Sequence, residues 1–150
     1  GDKHSSDRRF LMSESLIYQL VESFDRCEIA REQWDHRSHL AYALVKLLAD
    51  PAGGGESIRA GLLRYNDAHC IAQTPEGGYH ESITRFYIAV VRQFIAESDT
   101  SRPIDELVDE LVNKYGAREL PYAFYSKERL LSWTARTTWV EPDLQPISEE

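Results

Sequence analysis

Apolar residues recur at helical spacing along most of the sequence, and this periodicity constrains the fold more than any other feature. No stretch alternates apolar and polar residues in the way that a half-buried β-strand does. The apolar stripes predict a helix from about Ser13, a second over about 30–49, a third through Ile58, Leu62, Tyr65 and His69, a fourth from the glycines at 77–78 to about Glu97, a fifth from Ser101 to Gly116, and a short sixth from Ser126 to Trp133. We therefore predict an all-α protein, a compact single-domain helical bundle of five to six helices with an extended C-terminal tail.

The length of the chain favours one folded unit. Its 150 residues suffice for one hydrophobic core and are too few for two comfortable domains. We predict a disordered N-terminal arm over 1–12, a helical bundle domain over 13–136 and an extended tail over 137–150, where Pro142 and Pro146 disfavour a helix. Gly61, inside the third apolar stripe, predicts a close approach of a neighbouring helix.

Charge and hydropathy exclude several classes of partner. The net charge of −8, with no cluster of Lys and Arg, disfavours nucleic-acid binding because a phosphate backbone is also negative. No apolar run reaches membrane-spanning length, and the first ten residues lack the apolar region of a signal peptide, so we expect no membrane partner and a cytoplasmic protein. Cys27 and Cys70 form no paired motif and are expected to be reduced. The oligomeric state stays open.

Three histidines are predicted to face the interior of the bundle. His36 and His39 lie three residues apart, so they are neighbours on one helix surface. Counting about 100° per residue places His36 within the apolar arc of its helix, His39 at its edge, and His80 within the apolar arc of the fourth helix. Two interpretations follow. The imidazoles either bind a divalent metal such as zinc, nickel or iron with one position left open, or form a buried hydrogen-bond network.

Further polar and aromatic residues near these histidines are candidates for the same site. Glu81 is the candidate catalytic residue, as a general base on bound water, and the alternative is a surface glutamate paired with Arg85. The candidate substrate-binding residues are Trp34, Asn66, Tyr79 and Thr84, each of which also has a packing or tethering interpretation. We expect no nucleotide cofactor, because Gly53-Gly54-Gly55 lacks the lysine and the flanking strand of a phosphate-binding loop.

Several short motifs resemble those of a bacterial all-helical family for which no activity is established. The matching stretches are "WDHRSHL" at 34–40, "RYNDAH" at 64–69, "GYHESIT" at 78–84, "YSKERLLS" at 125–132 and "WVEPDL" at 139–144. The family motifs are W-x-H-x-x-H-L and G-Y-H-E-[ST]-I-T, and the resemblance spans roughly residues 30–145; His69 departs from the usual small or apolar residue. The resemblance supplies a grouping rather than a mechanism. The inward histidines are also similar to those of damage-inducible helical bundles that hold a metal with three histidines.

These observations lead to two functional hypotheses. In the first, a pocket lined by His36, His39, His80 and Glu81 holds a divalent metal that activates water or a small substrate. In the second, the protein is a non-catalytic ligand-binding or interaction module, and the histidines form a structural hydrogen-bond network. We expect an unknown small molecule as partner, and the sequence leaves open whether the protein is an enzyme.

Overall fold

The computed structural model describes residues 13–147, and most of that range is helical. The predicted arm at 1–12 lies outside the described residues. The α-helices within 13–147 are α1 (Glu14–Asp25), α2 (His36–Ala49), α3 (Gly54–Ala68), α4 (Glu81–Glu97), α5 (Ile104–Tyr115), α6 (Lys127–Leu130) and α7 (Trp133–Thr137). Short 3₁₀ helices cover Arg31–Gln33 and Leu120–Ala123. This part of the chain contains no β-strand, only one isolated bridge between Thr74 and Gly77, so the all-α prediction is confirmed.

The number of helices exceeds the predicted five to six. One short helix was expected from Ser126 to Trp133, and two are present, because the serine at 132 begins a new one. Its hydroxyl accepts a hydrogen bond from the backbone N–H of Ala135 at 3.1 Å, which caps α7 two residues after α6 ends. Among the described residues, no helix is both long and apolar enough to cross a membrane.

The second predicted helix is interrupted just before the first two histidines. The sequence predicted one helix over about 30–49, whereas a 3₁₀ turn ends at Gln33 and α2 begins at His36. Asp35 adopts an extended conformation, and its carboxylate accepts a hydrogen bond from the Ser38 N–H at 2.8 Å. At residue 35 this side-chain cap stabilises the fold more than one further helical residue would, and it fixes His36 in the first turn of α2.

Helix α2 is the central element of the packing. It contacts α1, α3, α4 and α5. Residues on all sides of it are buried, namely Ser38, Leu40, Ala41, Tyr42, Ala43, Leu44 and Leu47. The sequence predicted only one buried face. With four helices around it, α2 keeps little exposed surface, and the histidines at its N-terminal end lie where several elements meet.

A charged cluster joins the first three helices. The carboxylate of Asp25 accepts a hydrogen bond from the Tyr42 hydroxyl at 2.6 Å, and it contacts the Nζ of Lys46 at 2.5 Å and the Nη2 of Arg64 at 3.3 Å. Gly61 of α3 lies against Tyr42, where a Cβ atom would overlap the hydroxyl oxygen. The predicted close approach at Gly61 is therefore present in the structure.

A second, smaller core holds the C-terminal part of the chain. Phe86, Val90, Tyr125 and Leu130 form it, and Val140 packs against them. Beyond α7 the described chain has neither helix nor strand. The buried hydroxyl of Ser82 accepts a hydrogen bond from the Val140 N–H at 3.0 Å and donates one to the Thr138 carbonyl at 2.8 Å. These bonds hold the start of the tail on α4, because they satisfy backbone groups that lack a helix.

Because of the contact at Gly61, we expect a substitution that usually stabilises a helix to destabilise this protein. In a helix interior, Gly→Ala usually stabilises by about 0.5–1 kcal/mol. We expect Gly61→Ala to lower the free energy of unfolding by about 1–3 kcal/mol, because the new methyl group displaces the buried Tyr42 ring. Urea unfolding of both proteins measures this difference.

The matched control removes the atom that the methyl group would meet. In a Tyr42→Phe background, the nearest remaining atom is the ring carbon Cζ at 3.2 Å, so Gly61→Ala should cost clearly less than in the parent. An equal cost in the two backgrounds, or stabilisation in the parent, would contradict the proposed contact.

Candidate functional site

A cleft of about 540 Å³ lies between α2, α3, the start of α4 and the loop that precedes it. The side of α7 that carries Arg136 completes its wall. The cleft is lined by every predicted site residue except Glu81, that is by Trp34, His36, His39, Asn66, Tyr79, His80 and Thr84. This volume lies within the range of known small-molecule sites. The structure therefore brings the three histidines to one cavity. His80 was expected within the fourth helix, whereas it precedes α4 in an extended conformation, so the helical count does not describe its position.

The loop before α4 is shaped by one glycine. Gly78 has a φ of +80°, and a Cβ atom there would overlap the carbonyl oxygen of Ala72. Gln73 closes the loop, since its side-chain amide donates to the carbonyls of Tyr79 and Arg136 at 3.1 and 3.2 Å. The glycine lets the chain reverse tightly enough to bring residues 79 and 80 back to the bundle.

His80 is the N-cap of α4, and backbone groups occupy both of its ring nitrogens. Nδ1 accepts a hydrogen bond from the Ile83 N–H at 3.1 Å, and Nε2 lies 2.8 Å from the carbonyl oxygen of Leu130. A backbone N–H can only donate, so Nδ1 must carry no proton. The ring is therefore a neutral imidazole whose Nε2–H donates to Leu130.

The surroundings of His80 favour this neutral form. The residue is 7% exposed, and burial lowers its pKa, as does the positive charge of Arg136. The hydrogen bond to Leu130 acts in the opposite direction but does not outweigh burial. The positive end of the α4 macrodipole also disfavours a charged ring at this position.

His36 and His39 differ from His80 because no hydrogen bond occupies their rings. The His36 ring meets the edge of Tyr87 at a centroid distance of 5.3 Å, and its Nε2 is buried without a partner. The His39 ring lies 4.7 Å from that of Trp34. These two imidazoles are thus the ones that remain available to a ligand.

The pKa of each of these two histidines is lowered. Burial is the largest cause for His36, and the guanidinium of Arg118 adds to it. His39 is an exposed residue, yet desolvation by the surrounding protein lowers its pKa, and the neighbouring His36 ring lowers it further. Both rings are consequently neutral near pH 7, the form that accepts a proton or a metal ion.

A smaller cavity of about 330 Å³ adjoins the first one across the histidine wall. The two cavities share Trp34, His36, His39, Ile83 and Tyr87. Arg118 and Tyr122 line only the smaller one. The imidazoles of α2 can therefore be reached from two sides.

Glu81 does not lie with the histidines. It lines a separate cleft of about 400 Å³ between α3 and α4, together with Arg59 and Arg85. Its Oε1 accepts a hydrogen bond from the Tyr79 hydroxyl at 2.6 Å and lies 3.0 Å from the Nη2 of Arg59. Its role as a general base stays a prediction, and the surroundings of the carboxylate in the structure are those of an ion pair.

The four predicted substrate-binding residues all line the histidine cleft, with different attachments. The Tyr79 hydroxyl donates a hydrogen bond to Glu81, and the Thr84 hydroxyl donates one to the His80 carbonyl at 2.8 Å. Asn66 tethers the loop through its backbone carbonyl, which accepts from the N–H of Ile71 at 2.8 Å. Trp34 stacks on Phe24 at 3.8 Å, and its indole N–H is buried without a partner.

Arg136 is the site residue that the sequence did not reveal. It is 7% exposed, and its Nη1 donates to the carbonyls of Gly78 and Tyr79 at 3.1 and 3.5 Å. These partners are 58 and 57 residues away in the chain. The five-residue α7 is too short to show a periodicity that would mark Arg136 as inward-facing.

Unpartnered buried nitrogens concentrate at this cleft. Within residues 13–147, four buried side-chain polar atoms have no hydrogen-bond partner, and three belong to residues that line the cleft. These are the Nε1 of Trp34, the Nε2 of His36 and the Nε of Arg136. Orphaned buried polar groups are rare in native proteins, and a ligand that brings acceptors is one of the recognised explanations.

The predicted three-histidine metal centre needs a different arrangement of one ligand. In the described part of the chain, no group of three or more His, Cys, Asp or Glu side chains is placed to hold a metal ion. His80 would have to leave Ile83 or Leu130 before it could offer a nitrogen. The metal centre stays a prediction, with His36 and His39 as the ligands that the hydrogen bonds leave available.

Comparison with protein-family models, with curated proteins and with solved structures gives no match. The resemblance to a bacterial helical family thus rests on the motifs alone.

The two hydrogen bonds of His80 predict a large cost for its removal. We expect His80→Ala to lower the free energy of unfolding by about 2–4 kcal/mol, because it removes the helix cap and leaves a buried carbonyl unpaired. His80→Asn, which can still accept from Ile83, should cost about half as much. Chemical denaturation measures both values, and equal stability of His80→Ala and the parent would contradict the assignment.

The lowered pKa of His80 predicts a pH dependence of stability. A group whose pKa is lower in the folded state than its unfolded value of about 6.5 contributes fully above that value. The contribution is lost as the pH falls through the folded pKa, because the unfolded chain then binds more protons. We expect stability to decrease from pH 7 to pH 5.5, partly through His36 and His39. The slope should be smaller in His80→Asn; an unchanged slope would show that His80 does not take part.

Proposed function

We propose that the protein binds a small molecule in the cleft between α2, α3 and α4. The observation that carries this proposal is the set of three buried, unpartnered nitrogens on residues that line the cleft, those of Trp34, His36 and Arg136. An indole N–H and a guanidinium Nε–H can only donate. A ligand with oxygen acceptors would supply the partners that the protein itself does not provide.

The walls of the cleft define what else such a ligand carries. Leu40, Ile58, Leu62 and Ile83 supply apolar surface, and the aromatic rings of Trp34 and Tyr87 stand on the histidine side. Flat aromatic and imidazole walls favour a planar or apolar body. A few polar groups then orient it, among them the Thr84 hydroxyl and the imidazole of His36.

Metal binding is the second proposal, and His36 and His39 favour it. Both are neutral, lie on one face of α2 and are without a hydrogen bond at their rings. Imidazole suits zinc, nickel or iron, and a third ligand would come from His80 after release or from the bound molecule. A metal there would activate water or polarise a substrate oxygen, which is the enzymatic form of this proposal.

The small-molecule proposal is tested by NMR with simple aromatic probes. The chain has three tryptophans, so its indole region contains three side-chain signals, and Trp34→Phe identifies the one from the cleft. Benzamide and benzoate at millimolar concentration should shift the Trp34 signal. The signal of Trp133, which is 51% exposed and does not line the cleft, should stay unchanged.

Thr84→Met is the matched control, since it extends a half-buried side chain into the cleft without changing charge. It should abolish the shifts of Trp34. The proposal is contradicted if neither probe moves the Trp34 signal, or if the shifts persist in Thr84→Met. The metal proposal is tested separately, with zinc chloride added to protein purified without a nickel column. Tight zinc binding that is lost in His36→Ala supports a metal site, and the absence of zinc binding argues against it.

A further inference from the structure

Arg136 is the one arginine among the described residues that is buried, and none of the ion pairs involves it, in contrast to three half-buried arginines. Arg37, Arg59 and Arg102 pair with Asp109, Glu81 and Glu110 at 3.2, 3.0 and 2.9 Å. The hydrogen bonds of Arg136 all run from Nη1 to backbone carbonyls. A guanidinium that is 7% exposed and faces only carbonyl dipoles keeps its full positive charge.

The unused edge of this guanidinium has a defined chemistry. Nη1 is occupied by the carbonyls of Gly78 and Tyr79, whereas neither Nε nor Nη2 makes a hydrogen bond. The N–H groups on Nε and Nη2 are parallel and form the two-pronged edge that matches a carboxylate. The carbonyls hold the planar guanidinium in place, so this edge has a fixed orientation.

The cleft as a whole also carries an excess of positive charge. Its charged lining residues are Arg31, Arg136 and Glu76, while its three histidines have lowered pKa values. The chain as a whole has a net charge of −8. A positive, partly enclosed cleft in an acidic protein attracts small anions rather than large polyanions, because the outer surface repels the latter.

A buried cation without a counter-ion is costly, and the cost falls when an anion binds beside it. We infer, on the basis of the proposed small-molecule binding, that the ligand carries a carboxylate that pairs with the guanidinium of Arg136, which lines the cleft. Its apolar or aromatic body then lies toward Trp34 and Tyr87 across the same cleft. The substrate class is a small organic acid.

The test compares two probes of equal shape and different charge. Benzoate and benzamide are titrated against the parent protein, and the Trp34 indole signal reports binding. Benzoate should bind about tenfold or more tightly than benzamide, because a hydrogen-bonded charge pair adds to the contacts that both probes share. Raising the salt concentration should reduce this preference.

Variants assign the preference to one residue. Arg136→Gln should remove the tenfold preference while benzamide still binds, and Arg31→Gln, which changes the other cleft arginine, should keep most of it. If Arg136→Gln does not fold, the comparison of probes on the parent protein and on Arg31→Gln still decides the question.

The outcomes separate this inference from the proposal on which it rests. If neither probe binds, both fail. If benzamide binds as tightly as benzoate, small-molecule binding stands and the carboxylate inference is overturned. A preference that disappears in Arg31→Gln and persists in Arg136→Gln overturns the assignment to Arg136. Phenyl phosphate binding more tightly than benzoate would overturn the choice of a carboxylate.

Discussion

The position of the cleft depends on two hydrogen bonds made by one imidazole. His80 caps α4 through Nδ1 and holds the Leu130 carbonyl through Nε2, so it joins the longest helix to a segment 50 residues later in the chain. Because Leu130 belongs to the second core and α7 follows directly, this link also fixes where Arg136 stands. The hydrogen bond that Nδ1 accepts from the Ile83 N–H requires a neutral ring, and burial favours the neutral form by lowering the pKa of His80.

The three histidines therefore divide into two roles. Both ring nitrogens of His80 form hydrogen bonds with backbone groups. His36 and His39 lie at the start of α2, which the Asp35 cap fixes, and their ring nitrogens remain available in the cleft. The guanidinium of Arg136 stands across the same space with one edge unused. A donor-rich cleft with neutral imidazoles and one fixed cation is suited to an acidic small molecule, and it leaves room for chemistry at His36 if the bound molecule reacts.

Local signals in the sequence predicted the long helices, because these follow from the helical period and from caps within a few residues. Ser13, for example, caps α1 where the stripe begins. The partner of His80 and the inward turn of Arg136 could not be predicted, since both depend on contacts 50 or more residues apart. Glu81 shows the same limit. His80, the preceding residue, lines the cleft. One residue further along, the side chain points in a direction about 100° away, and the Glu81 carboxylate forms an ion pair with Arg59 on α3.

The tautomer of His80 tests this account most directly. Long-range ¹H–¹⁵N correlation NMR of the imidazole rings at pH 7 distinguishes a neutral ring with its proton on Nε2 from the other tautomer and from the charged ring. We expect the Nε2–H form for His80. A proton on Nδ1 or a charged ring at pH 7 would contradict the two hydrogen bonds assigned to this imidazole.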